Sequence, residues 1–256
     1  MRIATWNVNS LKIRLPRVEE WLAYAAPDVL CLQETKLSDA AFPALAFEAL
    51  GYRSAHHGRG QWNGVAILSR VGLDDVVDGF CTGLEADQDT RLISATCGGV
   101  RVSSIYAPNG RSVGSDHYAY KLSWFERLHR HLELTCDPAG AVAVCGDFNI
   151  APEDRDVWDP DAFVGSTHVS GPERDALARL QDWGLVDAFR VRHQESRLYT
   201  YWDYRAGNFH MHRGMRIDLV LVTKSLAGTV RHALVDRNAR KGKLPSDHAP
   251  LLIDLG

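Results

Sequence analysis

Apolar residues fall in short runs along the whole chain, separated by polar loops and by a few longer stretches with helical spacing. Met1 to Val8 reads as a strand, and Val29-Leu30-Cys31-Leu32-Gln33-Glu34 as a buried strand whose far end turns polar. Leu15, Val18, Leu22 and Ala25 recur at three- and four-residue steps, which predicts a helix over 15–25. Pro16 suits its first turn and Pro27-Asp28 ends it. Asn63-Gly64 leads into the apolar run Val65 to Leu68, and Arg91–Cys97 and Val100–Tyr106 flank Gly98-Gly99, a two-residue hairpin signal. Ser115 to Leu134 places Tyr118, Leu122, Phe125, Leu128 and Leu132 on one helical face. Ala141–Cys145 is a strand, Pro172–Trp183 a helix stopped by Gly184, and Ile217–Thr223 and Ala249–Leu255 close the list as strands. Strands bracketed by helices over this length predict an α/β chain, two sheets packed face to face with helices outside. No linker, low-complexity stretch or close repeat interrupts residues 1–256, which read as a single domain.

Composition narrows the class without naming a function. Hydrophobic residues are 45% and charged residues 24% of 256, the proportions of a soluble globular protein. No run approaches the ~18 apolar residues of a membrane span, and the N-terminus turns polar too soon for a signal peptide, so a cytoplasmic location is expected. The 5 cysteines, Cys31, Cys81, Cys97, Cys136 and Cys145, include no CxxC pair and read as reduced thiols, those at 31 and 145 inside apolar runs. A net charge of −3 argues against a protein that coats DNA non-specifically. Two segments are nevertheless basic, Arg205–Arg216 and Arg231–Lys243. They read as solvated loops, and as phosphate-tracking surfaces only if an acidic centre lies beside them.

Several apolar strands end in acids, amides or a histidine, where distant parts of a chain can meet in one pocket. Asn7 follows the first strand; alone it is a turn former. Glu34 closes an apolar run, where a carboxylate is costly unless it is paired or bound to a cation. In Gly146-Asp147-Phe148-Asn149, alternation aims Asp147 and Asn149 to one side and Phe148 to the other; a plain Asx-turn is the competing reading. Asp218 lies within a very apolar strand and needs a partner, for which His248 in Ser246-Asp247-His248 is a candidate. Tyr106-Ala107-Pro108-Asn109-Gly110-Arg111 ends another strand with groups able to hold phosphate. Glu, Asp and Asn are hard oxygen donors with no thiolate cluster beside them, which selects Mg²⁺, with Mn²⁺ as substitute, over zinc. With no Walker loop and no Ser-His-Asp spacing, metal-assisted attack of water on phosphorus is the natural chemistry.

Six motifs then occur in order from Trp6 to Pro250: Trp6-Asn7-Val8-Asn9, Leu32-Gln33-Glu34-Thr35-Lys36, Tyr106-Ala107-Pro108-Asn109, Gly146-Asp147-Phe148-Asn149, Arg216-Ile217-Asp218 and Pro245-Ser246-Asp247-His248-Ala249-Pro250. This ordered set resembles the exonuclease III family of AP endonucleases, and Tyr199 to Arg205 with Arg213 to Asp218 looks like its bacterial branch. The resemblance implies a four-layer, deoxyribonuclease I-like α/β sandwich. It implies incision of duplex DNA 5′ to abasic sites, 3′-to-5′ exonuclease action and removal of 3′-blocking phosphates by a monomer. By motif position it assigns catalysis to Tyr106, Asp147, Asn149, Asp218 and His248. The metal site would draw on Asn7, Glu34, Asp147, Asn149, Asp247 and His248. Contacts to DNA and phosphate would come from Asn9, Asn109, Arg111, Tyr201, Phe209, Met215 and Ile217. Whether Asp147 acts as base or metal ligand is left open, as is the number of metals. Met215 stands where vertebrate members carry tryptophan, in the pocket for the abasic sugar, and Phe209 or Met211 is the candidate wedge on the 206–212 loop. A phosphoinositide or sphingolipid phosphodiesterase would share the Gly-Asp-x-Asn and Ser-Asp-His elements; a DNA-binding scaffold would show a broken set, and this set is whole.

Overall fold

The computed structural model describes residues 1–81, 83 and 89–256. In chain order the first elements are β1 (Arg2–Asn7), α1 (Leu11–Ala25), β2 (Val29–Gln33), α2 (Ala44–Glu48), β3 (Arg53–His57), β4 (Val65–Ser69), β5 (Asp74–Asp78), β6 (Leu92–Cys97) and β7 (Val100–Tyr106). There follow α3 (Asp116–Thr135), β8 (Val142–Asp147), α4 (Gly171–Trp183), β9 (Leu185–Asp187), α5 (Ala188–Arg192), β10 (Asp218–Thr223), α6 (Lys224–Ala227), β11 (Val230–Val235) and β12 (Leu251–Leu255). They form two mixed six-stranded sheets, ordered β11-β12-β1-β2-β4-β3 and β5-β6-β7-β8-β10-β9. Each sheet has one parallel pair at its centre, β1 with β2 and β7 with β8. This is the expected sandwich.

Alternation along the strands explains the layers. Ile3, Cys31, Ile67, Val102, Cys145 and Val220 face inward and fill the space between the sheets. Their neighbours Ala4, Trp6, Leu30 and Leu32 face outward onto Val18, Trp21 and Leu22 of α1. On the other side Val144, Leu219 and Leu221 pack against Trp124, Phe125 and Leu128 of α3 and Leu177 and Leu180 of α4. A period of two therefore sorts each strand into an inner and an outer row. Cysteines 31, 97 and 145 are buried free thiols, as expected, whereas Cys81 is exposed and Cys136 half-buried.

At one end of the sandwich the inner row turns polar. Thr5 donates to Gln33 at 3.1 Å, Gln33 donates to Ser104 at 3.1 Å, and the next inner-row positions are Asn7, Tyr106, Asp147 and Asp218. Register then brings these together: Tyr106 lies opposite Asp147, and Asp147 opposite Asp218. Gly146 permits that approach, since a Cβ there would sit 2.0 Å from the Ile105 carbonyl oxygen.

Helix ends follow their caps. Ser115 caps α3 by accepting from the Tyr118 amide at 3.2 Å, and α4 opens with a reciprocal Ser170–Glu173 capping box and stops at Gly184. Two expectations are corrected. Helix α1 begins at Leu11, so Pro16 lies inside it rather than in its first turn. The segment 231–243 is not a solvated loop: its start is the edge strand β11, and Arg240 is buried, donating to the Ser246 carbonyl at 2.8 Å. No helix among the described residues is long and apolar enough to cross a membrane.

Candidate active site

The polar ends of the inner rows open into a cleft of about 500 Å³. Glu34, Tyr106, Asp147, Asn149, Asp247 and His248 line its floor. Asn109, Arg111, Trp158, Phe163, His168, Tyr201, Arg213, Met215 and Ile217 line its walls. Backbone strain concentrates here: Glu34, Lys36, Asn149 and Arg111 adopt left-handed φ of 52°, 53°, 51° and 54°. Non-glycine residues hold that conformation when their surroundings compel it.

Asn7 ties the floor together. Its amide donates to Glu34 Oε1 at 2.8 Å and to Asp147 Oδ2 at 2.9 Å, while its Oδ1 accepts from the Asn9 amide at 3.0 Å. Although burial opposes it, the Lys36 ammonium, 2.9 Å from Oε2, and the Asn7 amide hold the Glu34 carboxyl below its ordinary value. Burial pushes the Asp147 carboxyl up to about 7, against the pull of His248. One oxygen or nitrogen from each of Glu34, Asp147 and His248 lies within 4.8 Å of the others. Two carboxylates this close, with Asp247 on the same floor, match the hard-oxygen donor set of a divalent cation.

His248 faces this group from the segment that leads into β12. Its Nδ1 lies 2.7 Å from Asp218 Oδ2, and its Nε2 lies 3.8 Å from Asp147 Oδ2. Burial works against charge, yet the Asp218 carboxylate prevails and raises the imidazole to about 10, so the ring is an imidazolium at neutral pH. Burial, with the Glu34 and Asp147 carboxylates, keeps the Tyr106 phenol well above its usual value and so protonated, and Arg91 stacks on its ring at 4.7 Å. Asn149 satisfies both readings of its motif. Its amide N–H makes an Asx-turn to Asp147 Oδ1 at 2.9 Å, while its side chain donates to the Ala107 carbonyl at 2.9 Å and lines the cleft.

The walls hold most of the predicted contact residues. Tyr201 and Met215 exchange backbone hydrogen bonds of 2.9 and 3.0 Å, and both pack with Ile217 in one small apolar cluster. Asn109 and Arg111 stand on the rim, both exposed. Two predicted residues lie elsewhere. Asn9 is behind the floor, donating to Asp247 Oδ1 at 3.1 Å and accepting from Lys36 Nζ at 2.6 Å. Phe209 packs edge-on to Trp202 at 5.2 Å, under Arg240, outside the cleft lining. Arg216 also leaves the basic surface it was grouped with: it is fully buried and bonded to Asp156 and Asp187.

Sequence reasoning missed Lys36, Trp158, Phe163 and His168. Lys36 had a signal, since it sits two residues from Glu34 in a quoted motif. Trp158, under the Arg213 guanidinium at 4.9 Å, and His168, 3.0 Å from Asn149 Oδ1, lie in irregular segments that carry no local pattern.

With this geometry, the match to known proteins is informative. The model of the Endonuclease/Exonuclease/phosphatase family matches residues 4–248. The chain belongs to this family. It is 33% identical to exodeoxyribonuclease III of Haemophilus influenzae, over 98% of each chain. Among solved structures, an AP endonuclease from Archaeoglobus fulgidus superposes with a TM-score of 0.96 at 38% identity, covering 100% of this chain and 99% of that one. A 3′ phosphatase from Neisseria bound to a product DNA hairpin gives a TM-score of 0.96 at 40% identity, with the same coverage. The expected exonuclease III resemblance holds, and this family member is a hydrolase of the nuclease and AP-endonuclease type. Its family fold is the four-layer sandwich described above.

Proposed function

We propose that the protein is a Mg²⁺-dependent DNA-repair phosphodiesterase. In this reading it incises duplex DNA 5′ to abasic sites and removes nucleotides and phosphate groups from 3′ ends. The observation that carries it is the floor itself, where Glu34, Asp147 and the His248 imidazolium converge inside 4.8 Å. A scissile phosphate placed there meets a protonated ring Nε2, a protonated Tyr106 phenol and the Asn149 amide, all hydrogen-bond donors to its oxygens. Asp147 accepts a proton from the attacking water as the new P–O bond forms. The bond from phosphorus to the departing 3′ oxygen breaks, and that oxygen takes a proton from solvent water to leave as a 3′-hydroxyl.

Glu34, Asp147 and Asp247 are the groups that would hold the divalent ion, which supplies Lewis-acid relief of phosphate charge when bound, and Asn7 would orient the first two through the bonds its Nδ2 donates. His248, held by Asp218 at 2.7 Å, is assigned to the phosphate. Five free thiols suit a reducing, cytoplasmic setting. A monomer is the proposed working unit, the 1–256 chain acting as one domain. In the test, a duplex with one abasic analogue and a nicked duplex with a 3′-phosphate are incubated with Mg²⁺ or EDTA. Expected are incision 5′ to the analogue and release of phosphate, both lost in EDTA. Hydrolysis of inositol phosphates with no action on either DNA would reverse the reading.

A further inference from the structure

The segment carrying Glu34 is held from behind by a relay of three side chains. Thr35 Oγ1 lies 2.8 Å from His56 Nε2, and His56 Nδ1 lies 2.8 Å from Asp39 Oδ1. Asp39 also accepts from the Gly58 amide at 2.8 Å. A carboxylate only accepts, so His56 Nδ1 carries the proton; burial keeps the ring neutral, and Nε2 takes the Thr35 hydroxyl hydrogen. Phe42 stacks on the imidazole at 4.3 Å and fixes its plane.

The order acid, imidazole, hydroxyl is that of an activated nucleophile. It does not serve that end here, because Thr35 is fully buried and lies outside the cleft lining. What it does touch is the strained turn. Glu34 and Lys36, on either side of Thr35, both have left-handed φ, and the Thr35 and Lys36 amides donate to Gly64 and Asn63 carbonyls at 3.1 and 2.9 Å. Gly64 leaves room for the hydroxyl: a Cβ there would sit 2.2 Å from Thr35 Oγ1. Backbone bonds hold the main chain of the turn on both faces, since the Glu34 and Thr35 carbonyls also accept from the Ser10 and Leu11 amides at 2.7 and 3.0 Å, and the hydroxyl–imidazole–carboxylate chain is what anchors the Thr35 side chain between them.

We infer that Asp39, His56 and Thr35 are positioning residues that hold the strained Glu34 turn in the geometry that binds the divalent ion. The inference rests on the proposed metal role of Glu34. Partners behind a metal ligand orient it, and their loss costs about tenfold or more in metal affinity. The test is a titration of Mn²⁺ into the full chain without DNA, followed by electron paramagnetic resonance. Glu34→Gln serves as control, and DNA binding in EDTA is measured alongside. Thr35→Val, which keeps the shape and deletes the hydroxyl, is expected to weaken Mn²⁺ binding about tenfold, while Thr35→Ser restores it and DNA binding in EDTA is unchanged. Asp39→Ala, at a carboxylate 62% exposed and so tolerated by the fold, is expected to weaken it in the same direction if Thr35→Val does not fold. Wild-type Mn²⁺ binding by Thr35→Val or by Asp39→Ala, with Glu34→Gln impaired, overturns the relay. Wild-type binding by Glu34→Gln overturns the metal reading itself.

Discussion

The floor and the walls of the cleft are held by different means. Asn7, Tyr106, Asp147 and Asp218 are inner-row positions of paired strands, placed by sheet register and tied to one another by bonds such as Asn7 to Glu34 and Asp147 at 2.8 and 2.9 Å. The walls are segments 158–168 and 201–215, anchored by isolated bridges, Met215 to Tyr201 and to Val157, and Tyr201 to His248, and by a small apolar cluster. Floor residues have no freedom to adjust, which suits groups that must meet charge developing on phosphorus. Wall residues can differ in size with little strain on the sheets, which suits a surface that selects what kind of DNA enters. The floor thus draws on strand ends and the turns joined directly to them, and the walls on longer irregular segments.

Substitutions on the floor sharpen that contrast most. Asp147→Asn keeps the shape and the turn but removes the base, and is expected to lower the rate of abasic-site incision about 10³-fold, within the span of general-base contributions. Affinity for the same DNA in EDTA should be retained. A rate within tenfold of wild type would show that the attacking water is activated elsewhere.

The next largest effect is expected beneath the junction of floor and wall. Lys121 is fully buried, bonds to Glu173, and donates to the backbone carbonyls of Asn149 at 2.6 Å and Asn109 at 3.3 Å. Lys121→Met leaves the Glu173 carboxylate buried without its cation, which costs about 3 kcal/mol or more of stability. Urea unfolding measures this directly. A loss below about 1 kcal/mol would mean that the wall is not tied to the core through this pair.

A pH series probes the Asp218–His248 pair. The folded-state imidazole lies at about 10 against an unfolded value of 6.5. The stabilisation it contributes is therefore fully present below pH 6.5 and is lost as pH rises through 10. His248→Gln retains a donor to Asp218 but cannot titrate. The difference in Tm between wild type and this variant should shrink steadily between pH 6.5 and 10. A constant difference would show that the ring is neutral in the folded protein.

The same division decides what could be read from the chain. The floor was legible because its residues close apolar runs: Glu34, Asp147 and Asp218 each stand where burial demands a partner, and alternation places them on one side. Element centres were legible for the same reason. Edge strands were not. β3, Arg53–His57, contains two histidines and an arginine, and β5, Asp74–Asp78, is acidic and largely exposed, so neither shows the apolar alternation of a buried strand. Arg216 was misplaced because sequence shows its charge but not Asp156 and Asp187, 60 and 29 residues away, that bury it. Wall residues such as His168 depend on where a loop returns, which no local spacing encodes.

The smallest expected effect tests the wall at its outer edge. Both Phe209 and Met211 lie on the loop expected to press on DNA, but their surroundings differ. Phe209 is packed against Trp202 with Arg237 and Arg240 over its ring, whereas Met211 is 52% exposed. A wedge between base pairs must leave the protein surface to enter the stack, so Met211 is the better placed of the two. Met211→Ala should weaken binding to abasic duplex about threefold, roughly 0.6 kcal/mol, with Tm unchanged. Phe209→Ala should lower Tm, because it removes a ring from the Trp202 cluster, and reduce binding only through that loss of order. If Phe209→Ala instead weakened binding with Tm intact and Met211→Ala did nothing, the loop would have to rearrange on DNA so that its packed residue becomes the probe. The wall would then owe its selectivity to movement rather than to the side chains it already presents.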